Sequence, residues 1–321
     1  MSTKSQGSTP NAQRLPSVVF GPIYSRRFGK SLGIDLSPAK KQCNFDCLYC
    51  ELTPAQTVDT YDEVVAVEEV IAQVKKAVAA HPDLDVLTVT ANGEPTLYPY
   101  LDELIDTLNT IKGDAQTLIL SNASTIDRTD VQKALMKFDE VKLSLDCATP
   151  RCLKRLDRAH KGIDVETIKR GMSAFASRYK GRLVIEILLV AGINDTPKEL
   201  DALNRFLLTL KPDRIDIGTV DRPPAYDVAP LKADALYAAA ARFDASLPIC
   251  VIARKGDKPT PSSYDKAAIV QTLAKRPLTR EDVEALMDEA SLARFEVLLR
   301  EGDIVPVQSG GTVFYKNARN P

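Results

Sequence analysis

The 321-residue chain has no tryptophan, only two histidines, and no excess of either charge: 42 Lys and Arg stand against 43 Asp and Glu. That balance excludes a strongly basic nucleic-acid-coating protein and an acidic disordered chain. Long hydrophobic runs are missing as well. The best candidate, residues 183–193, contains Glu186 and falls well short of the roughly 20 residues a bilayer requires. Residues 1–14 are polar and lack the apolar stretch of an export signal, so they read as a disordered tail on a soluble cytoplasmic protein. Six cysteines are too sparse for a disulfide scaffold.

What is there follows a βα rhythm. Apolar, β-branched segments at 32–37, 85–90, 117–120, 141–145, 183–190 and 214–219 read as six strands. Helix-length segments separate them near 63–80, 98–112, 128–137, 164–179 and 197–210. The strands are continuous rather than alternating in polarity, which argues for a parallel sheet covered on its outside. An open six-stranded (β/α) barrel and a doubly wound sheet both satisfy this order. Gly256, Pro259 and Pro261 mark a linker at 256–263. Beyond it, residues 264–321 give three helical segments (264–275, 279–287, 290–301) and a hairpin turning at Gly310-Gly311, a winged-helix-like arrangement. The expected division is a barrel at 15–255, the linker, and a small C-terminal domain at 264–321.

Chemistry concentrates in one loop. Cys43, Cys47 and Cys50 fall within eight residues after the first strand. A closed zinc site wants four protein ligands, commonly as two paired spacings. No further Cys lies near these three, and the two histidines are His81 and His160. A four-iron cluster can be held by three thiolates, leaving one iron open to another ligand. The spacing favours the cluster, with a zinc knuckle completed by a distant residue as the alternative.

Cys43-x3-Cys47-x2-Cys50, with Tyr49 just before the last cysteine, resembles the signature of the radical SAM superfamily. Asn92-Gly93-Glu94-Pro95-Thr96 resembles that family's Gly-Gly-Glu element, with Asn92 where a first Gly often stands. Ser121-Asn122, Ser144-Leu145-Asp146 and Gly192-Ile193-Asn194 follow the next three strands, at the ends where barrels of this kind build their sites. More narrowly, the run from Tyr24 to Asp35, Arg158-Ala159-His160-Lys161-Gly162 and Val220-Asp221-Arg222-Pro223-Pro224 resemble the wyosine-synthase-related group. The likeness spans residues 18–255. The tRNA-modifying members carry extra cysteines on the N-terminal side, and this chain has none before Cys43.

The resemblance implies an α/β fold, an incomplete (β/α)6 barrel, with a [4Fe–4S] cluster on Cys43, Cys47 and Cys50. It implies S-adenosylmethionine at the open iron, cleaved reductively to a 5′-deoxyadenosyl radical that takes hydrogen from a substrate, an RNA base among the classes considered. Gly93, Glu94, Pro95 and Thr96 would meet the methionyl ammonium. Asn122, Ser144 and Asp146 would serve its carboxylate or the ribose, and Asn194 would lie near the adenine. Each of these polar residues also suits a helix cap or turn. A flavodoxin- or ferredoxin-like electron donor is the implied partner, and no membrane is.

Other features carry more than one reading. Cys147 and Cys152 are buried reduced thiols, ligands of a second cluster or, for one of them, a thiol acting in the barrel mouth, and Cys250 reads as core. Arg26, Arg27, Lys30, Lys40 and Lys41 crowd the cysteine loop as a solvated face or a guide for an anionic partner. His160, Lys161 and Arg222 suit loop hydrogen bonds or a carboxylate. Residues 264–321 hold eight basic and nine acidic residues, which makes a poor DNA clamp. The competing functional class is an iron–sulfur redox sensor or regulatory binding protein whose winged-helix module binds a partner or DNA.

Overall fold

The computed structural model describes residues 17–25, 29–252, 261–275, 277–309 and 312–318. The expected tail, Arg26, Arg27 and Phe28, most of the linker and the Gly310-Gly311 turn lie outside the described residues. Eight strands form one sheet in sequence order: β1 (Val19–Ser25), β2 (Gly29–Asp35), β3 (Val86–Thr90), β4 (Gln116–Ser121), β5 (Glu140–Ser144), β6 (Arg182–Leu189), β7 (Arg214–Thr219) and β8 (Ile249–Val251). β1 pairs antiparallel with β2 across a register shift between Phe20 and Ile23, and every later pairing is parallel. The end strands β1 and β8 are not neighbours, so this is an open, barrel-like α/β sheet.

Crossover helices follow from the apolar spacing and from their caps. They are α1 (Val67–Ala80), α2 (Leu101–Ile111), α3 (Thr129–Leu135), the short α4 (Pro150–Cys152), α5 (Val165–Ala176), α6 (Pro197–Leu210) and α7 (Ala233–Ala240). Asp164 and Thr196 accept from the Thr167 and Glu199 amides at the starts of α5 and α6, satisfying donors that a helix start leaves orphaned. Pro197 then occupies the first turn of α6, where no amide hydrogen is missed. Their apolar faces, with Val70, Leu104, Phe175 and Leu203, close on Ile34, Leu87, Ile119 and Ile185 of the sheet in one continuous core.

Three elements depart from the sequence reading. β1 lies ahead of the first expected strand, and a π-helical turn, Leu153–Asp157, extends α4. Cys250, read as core, is exposed on β8, an edge strand that buries little of its length. The C-terminal segment holds α8 (Lys266–Lys275), β9 (Leu278–Thr279), α9 (Arg280–Leu286), α10 (Glu289–Glu301), β10 (Ile304–Ser309) and β11 (Thr312–Asn317). Its strands pair antiparallel in the order β10-β11-β9 over a separate core that includes Ile269, Phe295 and Ile304. It reaches the large sheet at β1, where Gln271 Nε2 donates to Val19 O (2.6 Å) and Tyr264 OH to Pro22 O (2.9 Å).

A buried charge cluster ties three neighbouring strands together. Lys142 Nζ on β5 lies 2.5 Å from Glu186 Oε1 on β6 and 3.2 Å from Asp216 Oδ2 on β7, and Arg214 Nε reaches Asp216 Oδ1 at 2.6 Å. Removing the ammonium takes from this cluster the cation that bridges Glu186 and the fully buried Asp216, which keeps Arg214. Lys142→Met therefore lowers stability by on the order of 3 kcal/mol. Urea denaturation of the variant beside the native chain checks it, and an unshifted midpoint contradicts it.

Candidate active site at the cysteine loop

Because β2 to β7 run parallel, their C-terminal ends share one side of the sheet, and each sequence motif hangs from one of them. The cysteine loop follows β2. Its base is fixed before any thiol is placed. The buried Asp35 carboxylate accepts from the Ser37 and Asn92 amides (2.9 and 2.8 Å), joining the ends of β2 and β3. Gln42 N then donates to Asn92 O (2.9 Å) and Glu94 N to Gln42 O (3.0 Å), one parallel bridge between the loop and the Asn-Gly-Glu turn. Gly93 makes the approach possible. Its φ is +144°, and a Cβ there would sit 1.8 Å from Gln42 O. The Gln42 side chain uses its full amide capacity: Nε2 donates to Ser37 Oγ and Glu63 O, and Oε1 accepts from the Asp62 and Glu63 amides.

The loop's other side is bound to segments from farther round the sheet. Asp46 N and Leu48 N donate to Asp157 O and Leu156 O, and His160 N to Asn44 O. Asp46 pairs with Lys41 at 3.0 Å, both side chains being largely buried, and accepts from Tyr226 OH. Arg158 stands over the Tyr226 ring, 4.7 Å from its centroid. After β7, Ala225 N donates to Cys50 O (2.8 Å) and Arg222 pairs with Glu51 (2.5 Å). His160 and Arg222 thus serve loop contacts, while Lys30 and Lys40 pair with Asp83 and with Asp62 and Glu63.

Cys43, Cys47 and Cys50 are free and half-buried. Burial pushes all three thiols up, Cys43 to about 12 with the Glu94 carboxylate as the next cause. Among the described residues, the one set of three ligand atoms within 4.8 Å of one another is that of Cys147, Cys152 and Glu199. A soft three-thiolate set fits a [4Fe–4S] cluster with one open iron.

The expected cofactor residues fall into two groups. Glu94 is fully buried and engaged: Oε1 accepts from Thr96 N, Thr96 Oγ1 and Ser121 Oγ, and Oε2 from Asn122 N (2.7 Å). Asn122 Nδ2 reaches Asn44 Oδ1 at 2.9 Å and lies 3.7 Å from Cys43 Sγ. Gly93, Glu94, Pro95 and Thr96 are thereby drawn together with Asn122 against the cysteine loop. Ser144 and Asp146 line a narrow cavity with Asn122 and with Phe45 and Tyr49 of the loop. The buried Asp146 carboxylate accepts from Leu188 N and Tyr49 OH, and burial pushes it up. Asn194 stands apart, wholly buried. Its amide bonds Val190 N, Leu188 O and Asp146 O, holding the ends of β5 and β6 together.

Asp35, Gln42, Tyr226 and Asp157 were not singled out from sequence. Asp35 alone carried a signal there, a carboxylate closing an apolar strand. The expectation of reduced thiols at 147 and 152 is corrected: the two are joined as a disulfide.

A family model for the radical SAM superfamily matches residues 40–207. A Helicobacter pylori protein named only as a UPF0026 protein is 39% identical over 308 residues, covering 95% of this chain and 99% of its own. A radical SAM methyltransferase from Sphaerobacter thermophilus shares the fold at a TM-score of 0.53 and 17% identity, over 69% of this chain and 66% of that one. TYW1 with a lysine-pyruvate adduct bound does so at 0.50 and 19%, over 68% and 74%.

Two outcomes follow from this geometry. Gly93→Ala drives a methyl group into the Gln42 carbonyl and displaces the loop, so iron retained after anaerobic reconstitution falls several-fold; native iron content contradicts it. In the iron-free protein at pH 8, Cys43 alkylates at least about a hundredfold more slowly than the exposed Cys250, because only the thiolate reacts. Its rate climbs toward pH 12, and equal rates at pH 8 contradict the account.

Proposed function

The chain belongs to the radical SAM superfamily, and from that premise we propose how its own residues divide the work. The protein is an enzyme of that superfamily, which uses a [4Fe–4S] cluster and S-adenosylmethionine. When bound, these groups supply one-electron cleavage of a sulfonium and a 5′-deoxyadenosyl radical that takes hydrogen from a substrate.

Cys43, Cys47 and Cys50 hold the cluster as thiolates. Gln42 and Gly93 set the loop's height above the sheet, and Lys41 with Asp46 braces it from within. Glu94, already ordered by Thr96, Ser121 and the Asn122 amide, keeps acceptor capacity on Oε2 for the cofactor's ammonium. Preordering matters because a carboxylate that need not reorganise binds a cation at less entropic cost. Asn122, Ser144 and Asp146 offer polar atoms to the carboxylate and ribose, and Asn194 holds the adenine side of the site by fixing the backbone beneath it. The apolar faces of Phe45 and Leu145 keep water from the radical's path. A small reduced electron-transfer protein of the flavodoxin or ferredoxin kind delivers the electron on the loop side. Residues 264–321 act as a separate small domain.

The observation that carries this reading is the convergence of three free thiols, a buried carboxylate turn and the polar end of β5 on one face of a parallel sheet. The test is anaerobic. The reconstituted protein, given dithionite and S-adenosylmethionine, releases 5′-deoxyadenosine, and Cys47→Ala lowers that release at least about a hundredfold, as expected when an interaction indispensable to the chemical step is lost. Release that persists in the variant contradicts the assignment.

A further inference from the structure

The Cys147–Cys152 disulfide lies in the wall of the cavity beneath the cysteine loop. Cys147 lines that cavity beside Tyr49, Asn122 and Ser144, and both half-cystines are buried. Asp157, a buried carboxylate whose Oδ1 has no hydrogen-bond partner, lines it too. The cross-link joins residues five apart in sequence. So short a ring removes little freedom from the unfolded chain.

The turn it closes is already held by other means. Glu199 Oε1 accepts from the Ala148 and Thr149 amides (2.5 and 3.0 Å), and its Oε2 accepts from Thr149 Oγ1 (2.6 Å). Thr149 Oγ1 in turn accepts from Cys152 N at 3.3 Å, capping the short helix. An S–H on Cys152 would have an acceptor at hand: its Sγ lies 3.8 Å from Asp146 O. A disulfide that its fold does not need, in a protein whose three loop thiols work only when reduced, is poorly explained as a staple.

We propose that Cys147 and Cys152 form a redox-active couple in the wall of the reaction cavity, opened by exchange with an external dithiol. That the cavity is the reaction chamber rests on the function proposed above; the exchange itself does not. The thiolate of the reductant attacks the sulfur of Cys147, the half-cystine that lines the cavity, and Cys152 leaves as a thiolate and takes a proton. The reductant's second thiol then displaces Cys147, which is protonated in its turn. Two electrons and two protons enter the pair, and the reductant departs as a disulfide. Opening places an S–H among Tyr49, Asn122 and Ser144, where none stands in the oxidised form.

The test uses the full chain with its cluster reconstituted, equilibrated anaerobically over a series of reduced-to-oxidised dithiothreitol ratios. Each sample is quenched with N-ethylmaleimide and mapped by peptide mass. The expected result is that Cys147 and Cys152 gain label together, rising from about a tenth to about nine-tenths over a hundredfold change in the ratio, about 59 mV for a two-electron couple. Circular dichroism stays native throughout, and oxidised dithiothreitol reverses the labelling. A pair that stays closed until denaturant is added is a structural disulfide and overturns the proposal. A pair that labels at every ratio is no disulfide and also overturns it. Cys147→Ser provides the control, with Cys152 labelling at all ratios. Were the cluster assignment wrong, the chain would retain no iron, yet the two cysteines would still titrate, so the two failures are separable.

Discussion

The site depends on one backbone joint. The Gln42 amide and carbonyl bond Asn92 and Glu94 across Gly93, and through that bridge the cysteine loop and the carboxylate turn become one body. Any side chain at position 93 forces them apart. The buried Asp35 and the saturated Gln42 amide exist to hold this joint from below, and each is a polar group that burial would penalise were its bonds unmade. The thiols inherit their positions from this scaffold, so the loop has little freedom to adapt when a cluster arrives.

Around the joint, charge is used sparingly and in pairs. Lys41 with Asp46, Arg222 with Glu51 and Lys142 with Glu186 and Asp216 each bring opposite charges together where water is scarce. Burial pushes the Asp146 and Asp157 carboxyls up, reinforced by the Glu186 carboxylate at the first and by the Asp146 and Glu199 carboxylates at the second, and both residues line the cavity under the loop. Several polar groups of this chamber are committed to one another, while Asp157 Oδ1 is buried without a hydrogen-bond partner. Such commitment suits a reactive intermediate, because fixed dipoles replace mobile solvent.

Much of this was legible in the sequence because parallel strands buried on both faces announce themselves as continuous apolar runs. The segments at 197–210 and 214–219 are α6 and β7 to the residue. The cysteine spacing and the Asn92–Thr96 turn were readable because both are local patterns, and the fold brings the two together at Gln42 and Gly93. What stayed hidden is non-local. β1 carries Gly21 and Pro22 within its length, which disguises a strand, and it is specified by its pairing with β2 and by the cover of α8. Gln42, Tyr226 and Asp157 acquire their roles from partners up to 180 residues away. Cys250 looked like core because its neighbours are apolar, yet an edge strand buries one face at most.

The most direct test of the account is electron paramagnetic resonance of the anaerobically reconstituted, dithionite-reduced protein before and after S-adenosylmethionine is added. The account predicts a reduced-cluster signal that depends on Cys43, Cys47 and Cys50 and whose g-values shift when the cofactor occupies the open iron. A cluster signal that the cofactor leaves unchanged, or one that survives loss of the three cysteines, would contradict it.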